Sequence, residues 1–312
     1  MVRVKARRTL KTLVILCVIA GFINNWSYVS QLLRFESHRK TTEVVINPHP
    51  YKLVINNPRK CSGSDVFLLV LVTSAPENRA QRSAIRQTWG NENNVPGTVI
   101  KTLFAVGKPG KPSIQHSLED ENMVHRDIIQ EDFVDSYKNL TLKTVMCLKW
   151  ASKFCPSAKF VMKADDDTCV NIFNLVKRLQ FTVPEEFVTG YRCYARPIRA
   201  VDDRWYVSEE EYPRETFPRY PCGFAYVMSN DITGLIYQTS LTLKYLFLED
   251  VFLGLCLEKL AIDPVHDTRF HHSETTPSCE TGKEWIAFHW IKTHDGMVKA
   301  WQDVTSCEES LS

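Results

Sequence analysis

The chain has 312 residues, 44% of them hydrophobic and 24% charged, a composition typical of one large or two small globular domains. Its formal net charge is +2, but five lysines and arginines lie within the first eleven residues, so the remainder carries a net charge of about −3. This distribution excludes a basic nucleic-acid-binding protein, and we expect no nucleic-acid partner.

The N-terminus has the pattern of a membrane anchor. The basic residues 1–11 precede an apolar run at residues 13–23, and Trp26 and Tyr28 follow as interfacial aromatics. We therefore predict a cytoplasmic tail at residues 1–11 and a signal-anchor transmembrane helix at residues 12–32. The rest of the chain would then be lumenal, as in a single-pass type II membrane protein. The short apolar run also fits a cleaved signal peptide, so that alternative stays open.

Ten cysteines agree with a secretory compartment. Nine of them follow the predicted anchor, and the absence of CxxC spacing in the sequence argues against a zinc site. We expect structural disulfides, with at least one cysteine free or joined to another chain because nine is odd. The sequon Asn139-Leu140-Thr141 predicts a glycan on Asn139.

Beyond the anchor, the hydrophobic pattern predicts an α/β domain. Residues 33–60 contain several prolines and no lasting periodicity, so we predict a stem there and a folded lumenal domain at residues 61–312. The predicted strands are 66–72, 98–106, a short run around 128–129, and 159–164; the predicted helices are 78–89, a segment ending near 124, 139–154 and 171–180. This alternation predicts a sheet with helices on both faces and a ligand crevice beyond the carboxyl ends of its strands.

Three consecutive carboxylates, Asp165, Asp166 and Asp167, directly follow the strand predicted at residues 159–164. Carboxylates at a strand end can hold a hard divalent cation such as Mg²⁺ or Mn²⁺. A calcium-binding loop of the EF-hand type is excluded, because Val170 stands where the sixth position requires glycine. Three interpretations remain: a metal and nucleotide-sugar site, a phosphotransferase with Asp165 as nucleophile, and a solvated acidic turn.

Five segments in order distinguish these interpretations: RSAIRQTWG, DFVDSYKNLTLKT, FVMKADDDTCVN, YVSEEEYPRETFPRYPCGFAYVMS and EDVFLGLCLEKL. The series resembles the β-1,3-galactosyltransferases and β-1,3-N-acetylglucosaminyltransferases of glycosyltransferase family 31, over roughly residues 61–303. The resemblance implies that residues 61–312 form a catalytic domain with the GT-A fold, a Rossmann-like mixed sheet with helices on both faces. It also implies a Golgi membrane location, a UDP-sugar donor, Mn²⁺ as cofactor, and inversion at the anomeric carbon to give a β-1,3 linkage.

The resemblance implies a role for each acidic group and for one histidine. Asp167 and His289 would ligate Mn²⁺, with His271 or His272 as the alternative imidazole. Asp250 would be the base that deprotonates the acceptor hydroxyl, because it lies in the Glu-Asp-Val motif of the family. The residues expected to bind the UDP-sugar are Arg82, Arg86, Asp165, Asp166 and Glu249.

From these residues we expect a β-1,3-hexosyltransferase acting on glycoprotein or glycolipid glycans, with UDP-galactose as the favoured donor. The same chemistry with UDP-GlcNAc or UDP-GalNAc is the close alternative. An aspartyl phosphotransferase and an inactive lumenal lectin are the more distant ones.

Overall fold

The computed structural model describes residues 44–272 and 283–309. The chain divides into two units, Met1–Val44 and Val45–Ser312, and every described helix and strand belongs to the second. The predicted tail and signal anchor, residues 1–11 and 12–32, lie outside the described residues. Within the described ranges, no helix has the length and apolar character needed to cross a membrane.

The described part of the chain contains eleven strands and seven helices. The strands are β1 Leu53–Ile55, β2 Leu68–Thr73, β3 Ile100–Lys108, β4 Ile128–Val134, β5 Phe160–Asp165, β6 Cys169–Val170, β7 Val188–Cys193, β8 Tyr220–Ser229, β9 Val265–His266, β10 Phe270–His271 and β11 Ala287–Phe288. The helices are α1 Arg79–Gln87, α2 Pro112–His125, α3 Leu140–Phe154, α4 Ile172–Gln180, α5 Thr233–Ser240, α6 Glu249–Lys259 and α7 His294–Glu309.

Eight strands form one mixed sheet in the order β1-β4-β3-β2-β5-β8-β7-β9. Strands β4, β3, β2 and β5 run parallel, whereas β8 is antiparallel to both β5 and β7. The carboxyl ends of β2 and β5 lie side by side, because Thr73 is in register with Asp165. The mixed α/β architecture predicted from the sequence is confirmed, and the acidic triplet lies at the crevice edge of the sheet.

Apolar cores cover both faces of this sheet. Successive side chains of a strand point to opposite faces, so Leu68, Val70 and Val72 enter one core while Leu69 and Leu71 enter the other. Helices α1, α2, α4 and α7 contribute buried residues to the first core, and helices α3, α5 and α6 contribute to the second. The large sheet is therefore the middle layer of three, as its continuous apolar strands predict.

The compact unit begins earlier than the sequence predicts. Strand β1 lies within residues 33–60, the predicted stem, yet it forms the edge of the large sheet by pairing with β4, and the Asp132 amide donates to the Lys52 carbonyl. The boundary predicted at residue 61 therefore falls inside the folded unit, which starts at Val45. Three residues are too few to show a strand period, so the pattern gave no signal.

Two disulfides join distant segments, Cys61 to Cys155 and Cys193 to Cys222. Among the described cysteine side chains, three are free and buried: Cys147, Cys169 and Cys256. The expectation of disulfides together with free thiols is confirmed for this part of the chain.

Candidate active site

The three aspartates of the triplet point in different directions and have different partners. Asp165 accepts hydrogen bonds from Thr73 Oγ1 at 2.7 Å and from Lys163 Nζ at 2.6 Å. Asp166 instead accepts from Ser74 Oγ at 2.6 Å and Asn78 Nδ2 at 2.9 Å. Burial raises the pKa of Asp166, and those two hydrogen bonds oppose the rise only in part. The repulsion expected of adjacent carboxylates is thus relieved by separate donors.

His289 is brought to the triplet by a small second sheet. Strand β11 pairs antiparallel with β6, which follows the triplet, and parallel with β10. The Ile291 amide then donates to the Asp167 carbonyl at 2.8 Å. Between them Trp290 has φ of 78°, a left-handed conformation that L residues rarely adopt. These backbone contacts place His289 Nε2 3.0 Å from Asp167 Oδ1.

Asp165, Asp167 and His289 form a group that can hold a metal ion. One ligand atom from each lies within 4.8 Å of the other two. The His289 ring packs on Phe224, and its Nδ1 is buried without a hydrogen-bond partner. Two carboxylates and one imidazole fit a hard divalent cation such as Mn²⁺. The residues therefore fit the cofactor that the resemblance implies, with Asp165 added to the predicted ligands.

The alternative histidines lie outside this group. The His271 ring centroid is 3.7 Å from that of Trp285, and His272 stacks on Tyr191 at 5.6 Å. Burial lowers the pKa of His272, and the nearby His289 lowers it further. The geometry therefore favours His289 over His271 and His272 as the imidazole ligand.

Lys163 connects Asp165 of the metal group to Glu249, the residue next to Asp250. Lys163 was not among the residues predicted from the sequence. Its side chain, only 6% exposed, donates to Asp165, to Glu249 Oε1 at 2.8 Å and to the Gly223 carbonyl. Burial alone would lower the pKa of Lys163, but the charges of Asp165 and Glu249 outweigh it and raise the pKa. The sequence did contain a signal for Lys163, because a lysine inside an apolar strand two residues before three acids is unusual.

Asp250 lies at the first turn of α6 and faces β8. Its Oδ2 accepts from the Gly223 amide at 3.1 Å, and its Oδ1 accepts from the Val251 amide at 2.8 Å. Burial, followed by the negative charge of Glu249, raises the pKa of Asp250 to about 7. A carboxyl group with that pKa can accept a proton near neutral pH, as a general base must.

Gly223 makes this close approach possible. A Cβ atom at this position would lie 2.9 Å from Glu249 Oε1 and 3.4 Å from Asp250 Oδ2. Both backbone groups of Gly223 are used, since its amide binds Asp250 and its carbonyl accepts from Lys163. The absence of a side chain at Gly223 therefore lets β8 approach the start of α6.

The placement of Glu249 does not agree with its predicted role in donor binding. Glu249 is 6% exposed, and its carboxylate is occupied by Lys163, by Thr144 Oγ1 at 2.9 Å and by the Tyr226 hydroxyl at 3.3 Å. Both oxygens of this buried carboxylate are engaged by donors within the fold, so its contacts do not direct it toward a ligand. Its position supports Lys163 and Asp250 instead.

Arg82 also differs from its predicted role. It is 1% exposed, and its donors bind Glu121 in a bidentate pair, Ser74 Oγ and the carbonyls of Ala75 and Pro76. With its donors satisfied inside the protein, Arg82 cannot reach a phosphate directly. It orients Ser74, the donor to Asp166.

Arg86 is bound in the same cluster. It forms a bidentate pair with Asp127 at 2.8 and 2.9 Å and a 2.7 Å contact with Glu121. Its guanidinium also lies 4.6 Å above the Phe104 ring. These contacts do not support the expectation that Arg86 binds the donor, because its guanidinium is already paired with two carboxylates.

Asn139 directly precedes α3, so this helix starts one residue later than predicted, and the Asn139 side chain does not cap it. Its Nδ2 donates to the Val134 carbonyl at 2.8 Å, and Thr141 Oγ1 donates to the Leu246 carbonyl at 2.6 Å. Both polar residues of the sequon therefore have contacts within the fold. Glycosylation of Asn139 stays a prediction.

Comparison with known proteins assigns this arrangement to a class. The family model described as galactosyltransferase matches residues 80–268. Beta-1,3-galactosyltransferase 1 of Mus musculus and of Homo sapiens is 42% identical over 264 residues, covering 84% of this chain and 81% of that protein. The lactosylceramide 1,3-N-acetyl-beta-D-glucosaminyltransferase of Homo sapiens is 43% identical over 238 residues, covering 73% of this chain and 63% of that protein.

Among solved structures, a glycosyltransferase involved in glycosylation of the major capsid of PBCV-1 aligns with a TM-score of 0.44 and 11% identity, covering 77% of this chain and 99% of that one. The family match and the sequence relatives define the protein as a glycosyltransferase. The chain belongs to the galactosyltransferase family, glycosyltransferase family 31. The phosphotransferase and lectin alternatives receive no support from these matches.

Proposed function

We propose that the protein is an inverting, Mn²⁺-dependent β-1,3-galactosyltransferase with the GT-A fold. It would transfer galactose from UDP-galactose to the 3-hydroxyl of a glycan on a glycoprotein or glycolipid. The proposal includes anchoring in the Golgi membrane through residues 12–32, with the folded unit in the lumen. It is supported by the 42% identity to beta-1,3-galactosyltransferase 1 and by the basic and apolar pattern of the N-terminus.

One observation carries the chemical part of the proposal. The metal-type group Asp165, Asp167 and His289 and the proton acceptor Asp250 lie at the same edge of the sheet, and Lys163 and Gly223 connect them. A displacement at a sugar carbon needs charge stabilisation at the leaving group and a base at the attacking hydroxyl. This arrangement provides separate groups for the two requirements.

Each group has a definite task in the proposed reaction. Asp165, Asp167 and His289 would hold Mn²⁺, which when bound acts as a Lewis acid for the departing diphosphate. Asp250 accepts the proton of the acceptor 3-hydroxyl as that oxygen bonds to the anomeric carbon and the bond from this carbon to UDP breaks. Attack opposite the leaving group inverts the anomeric carbon. The Gly223 amide fixes the Asp250 carboxylate in the orientation needed.

Of the two alternative donors, UDP-GlcNAc is the one that a relative supports. The human lactosylceramide 1,3-N-acetyl-beta-D-glucosaminyltransferase matches this chain at 43% identity, although over a shorter region than the galactosyltransferase. Both relatives are named for 1,3 transfer, so the proposed linkage is the same for either donor. UDP-GalNAc has no such relative among the proteins described above.

A donor panel tests the proposal. The protein is incubated with Mn²⁺, with UDP-galactose, UDP-GlcNAc or UDP-GalNAc, and with acceptors ending in different sugars, lactosylceramide included. The linkage of the product is read by NMR, and EDTA is the control for metal dependence. We expect β-1,3-linked galactose and no product with EDTA. Absence of transfer from every donor by folded protein would contradict the proposal, and preference for UDP-GlcNAc would replace the donor.

A further inference from the structure

We propose that Trp205 and Tyr137 form the subsite for the terminal sugar ring of the acceptor, beside Asp250. The ligand is a neutral pyranose, a hexose or N-acetylhexosamine at the end of a glycan. This inference rests on the proposed function, because only a transferase brings an acceptor sugar to Asp250. It adds the residues that would select and orient that sugar.

Tyr137 is held next to the loop that leads to Asp250. It lies in a 3₁₀ turn, Tyr137–Asn139, directly before α3, and its ring centroid is 6.5 Å from that of Phe247. The loop and the start of α3 are fastened together, because Thr141 donates to the Leu246 carbonyl at 2.6 Å. Burial raises the pKa of Tyr137, and the charge of Asp250 contributes to the rise, as expected for neighbours.

Trp205 presents an apolar face to solvent while its polar atom is satisfied. Trp205 is 45% exposed, and its Nε1 donates to the Tyr137 hydroxyl at 2.6 Å. Arg204 lies 3.9 Å above the Tyr137 ring, a cation–π contact that helps to hold that ring. The indole is thus oriented by its nitrogen, and Arg204 also lies 5.9 Å from its ring centroid. The exposed part of the ring is the surface that we assign to the ligand. Sugar rings carry C–H groups on their faces, and those groups pack well on an aromatic surface.

The loop that carries Trp205 is rigid and is tied to the base. It is closed by the disulfide Cys193–Cys222, and Cys222 directly precedes Gly223, which binds Asp250. Inside the loop, Arg199 donates to the carbonyls of Val207 and Tyr212 at 2.7 Å each. A rigid surface loses less entropy when a ligand binds, so an exposed tryptophan here suits recognition.

The ordinary interpretation of a lone exposed tryptophan is a surface residue without function. Three observations favour the subsite: the hydrogen bond that orients the indole, the tie between its loop and Gly223, and the contact of Tyr137 with the loop before Asp250. Phe181, which is 85% exposed and directly follows α4, serves as a matched exposed aromatic.

The test compares Trp205→Ala, Trp205→Phe and Phe181→Ala with the wild type. The acceptor KM is measured with lactose and with p-nitrophenyl β-N-acetylglucosaminide at saturating donor, and the Kd for UDP is measured by calorimetry with Mn²⁺. Trp205→Ala should raise the acceptor KM roughly tenfold and leave the UDP Kd within about twofold. Trp205→Phe should recover part of the loss, and Phe181→Ala should behave as wild type. Tyr137→Phe, which removes the oxygen that orients the indole, should raise the same KM by a smaller factor.

Two outcomes would overturn the inference. An unchanged acceptor KM in Trp205→Ala would show that the indole does not contact the acceptor, although the proposed function would stand because transfer still occurs. An equal loss of UDP affinity would mean that Trp205 supports the donor site or the fold instead. Failure of the wild type to transfer any sugar would contradict the proposed function itself, so the two failures are distinguishable.

Discussion

Replacing Lys163 by methionine should destabilise the fold strongly. Methionine keeps most of the apolar volume but removes the charge and the three hydrogen bonds to Asp165, Glu249 and Gly223. The Asp165 side chain is 32% exposed and can be solvated by water in the variant, whereas Glu249 is 6% exposed and cannot. The main cost is therefore one buried carboxylate left without its cation.

Breaking a buried ion pair by removing one partner costs about 3–5 kcal/mol. For a protein of this size the loss corresponds to a fall in Tm of roughly 6–20 °C. Thermal unfolding followed by circular dichroism at pH 7.5, wild type against Lys163→Met, measures it. The neutral double variant Lys163→Met/Glu249→Gln is the control. It should recover a large part of the loss, because an uncharged pair needs no compensation.

The reasoning would be refuted if Lys163→Met unfolded within about 2 °C of the wild type, since the buried charge would then not be compensated by Lys163. A double variant no more stable than the single one would equally refute it, because it would show that lost packing, and not Glu249, causes the destabilisation. Both results are read from the same three unfolding curves.

Three further predictions concern the groups around the base and the sequon. Gly223→Ala should lower activity at least tenfold, because the added Cβ would meet Glu249 at 2.9 Å, whereas Gly110→Ala, with no atom within 4 Å of its Cβ, should be neutral; initial rates measure both. Asp250 must be deprotonated to act as base and its pKa is about 7, so kcat/KM should rise with pH and level off above that value. Glu249→Gln should move the midpoint lower, since it removes the negative charge that helps raise the pKa, and a flat profile would contradict the assignment. Asn139→Gln, expressed in a secretory host, should abolish the mobility shift on endoglycosidase treatment; an unchanged shift would exclude glycosylation at this position.

Local patterns predicted the longer strands and helices from β2 to α4. The apolar strand that ends in Asp165 and the helices on either side of it follow from periodicity, because each is settled by neighbours in sequence. The pairing of Lys163 with Glu249 joins residues 86 positions apart, and no periodic signal connects them. The strand β1 was missed because its three residues are too few to show a period, and its pairing with β4 joins segments far apart in the chain.

The donor-binding role predicted for Arg82 and Arg86 rested on residue type and position alone. Arg82 and Arg86 are four residues apart on α1, at a crevice end where an arginine commonly binds phosphate. In the folded chain both contact Glu121, which comes from α2, and this contact decides their role. His289 was predicted from a motif and lies in the group that can hold a metal ion. The inclusion of Asp165 in that group depends on side-chain directions that a sequence does not contain.

The central claim is that metal binding and proton transfer belong to different residues, and one pair of measurements on Asp250→Asn tests it most directly. Asparagine keeps the size of the side chain and an oxygen for the Gly223 amide but cannot accept a proton as a carboxylate does. We predict that calorimetry with Mn²⁺ gives a UDP Kd within about twofold of the wild type, while transfer falls at least roughly 100-fold. Asp167→Asn should show the reverse order, with UDP affinity lost first. Turnover at the wild-type rate by Asp250→Asn, or loss of its UDP affinity, would contradict the account.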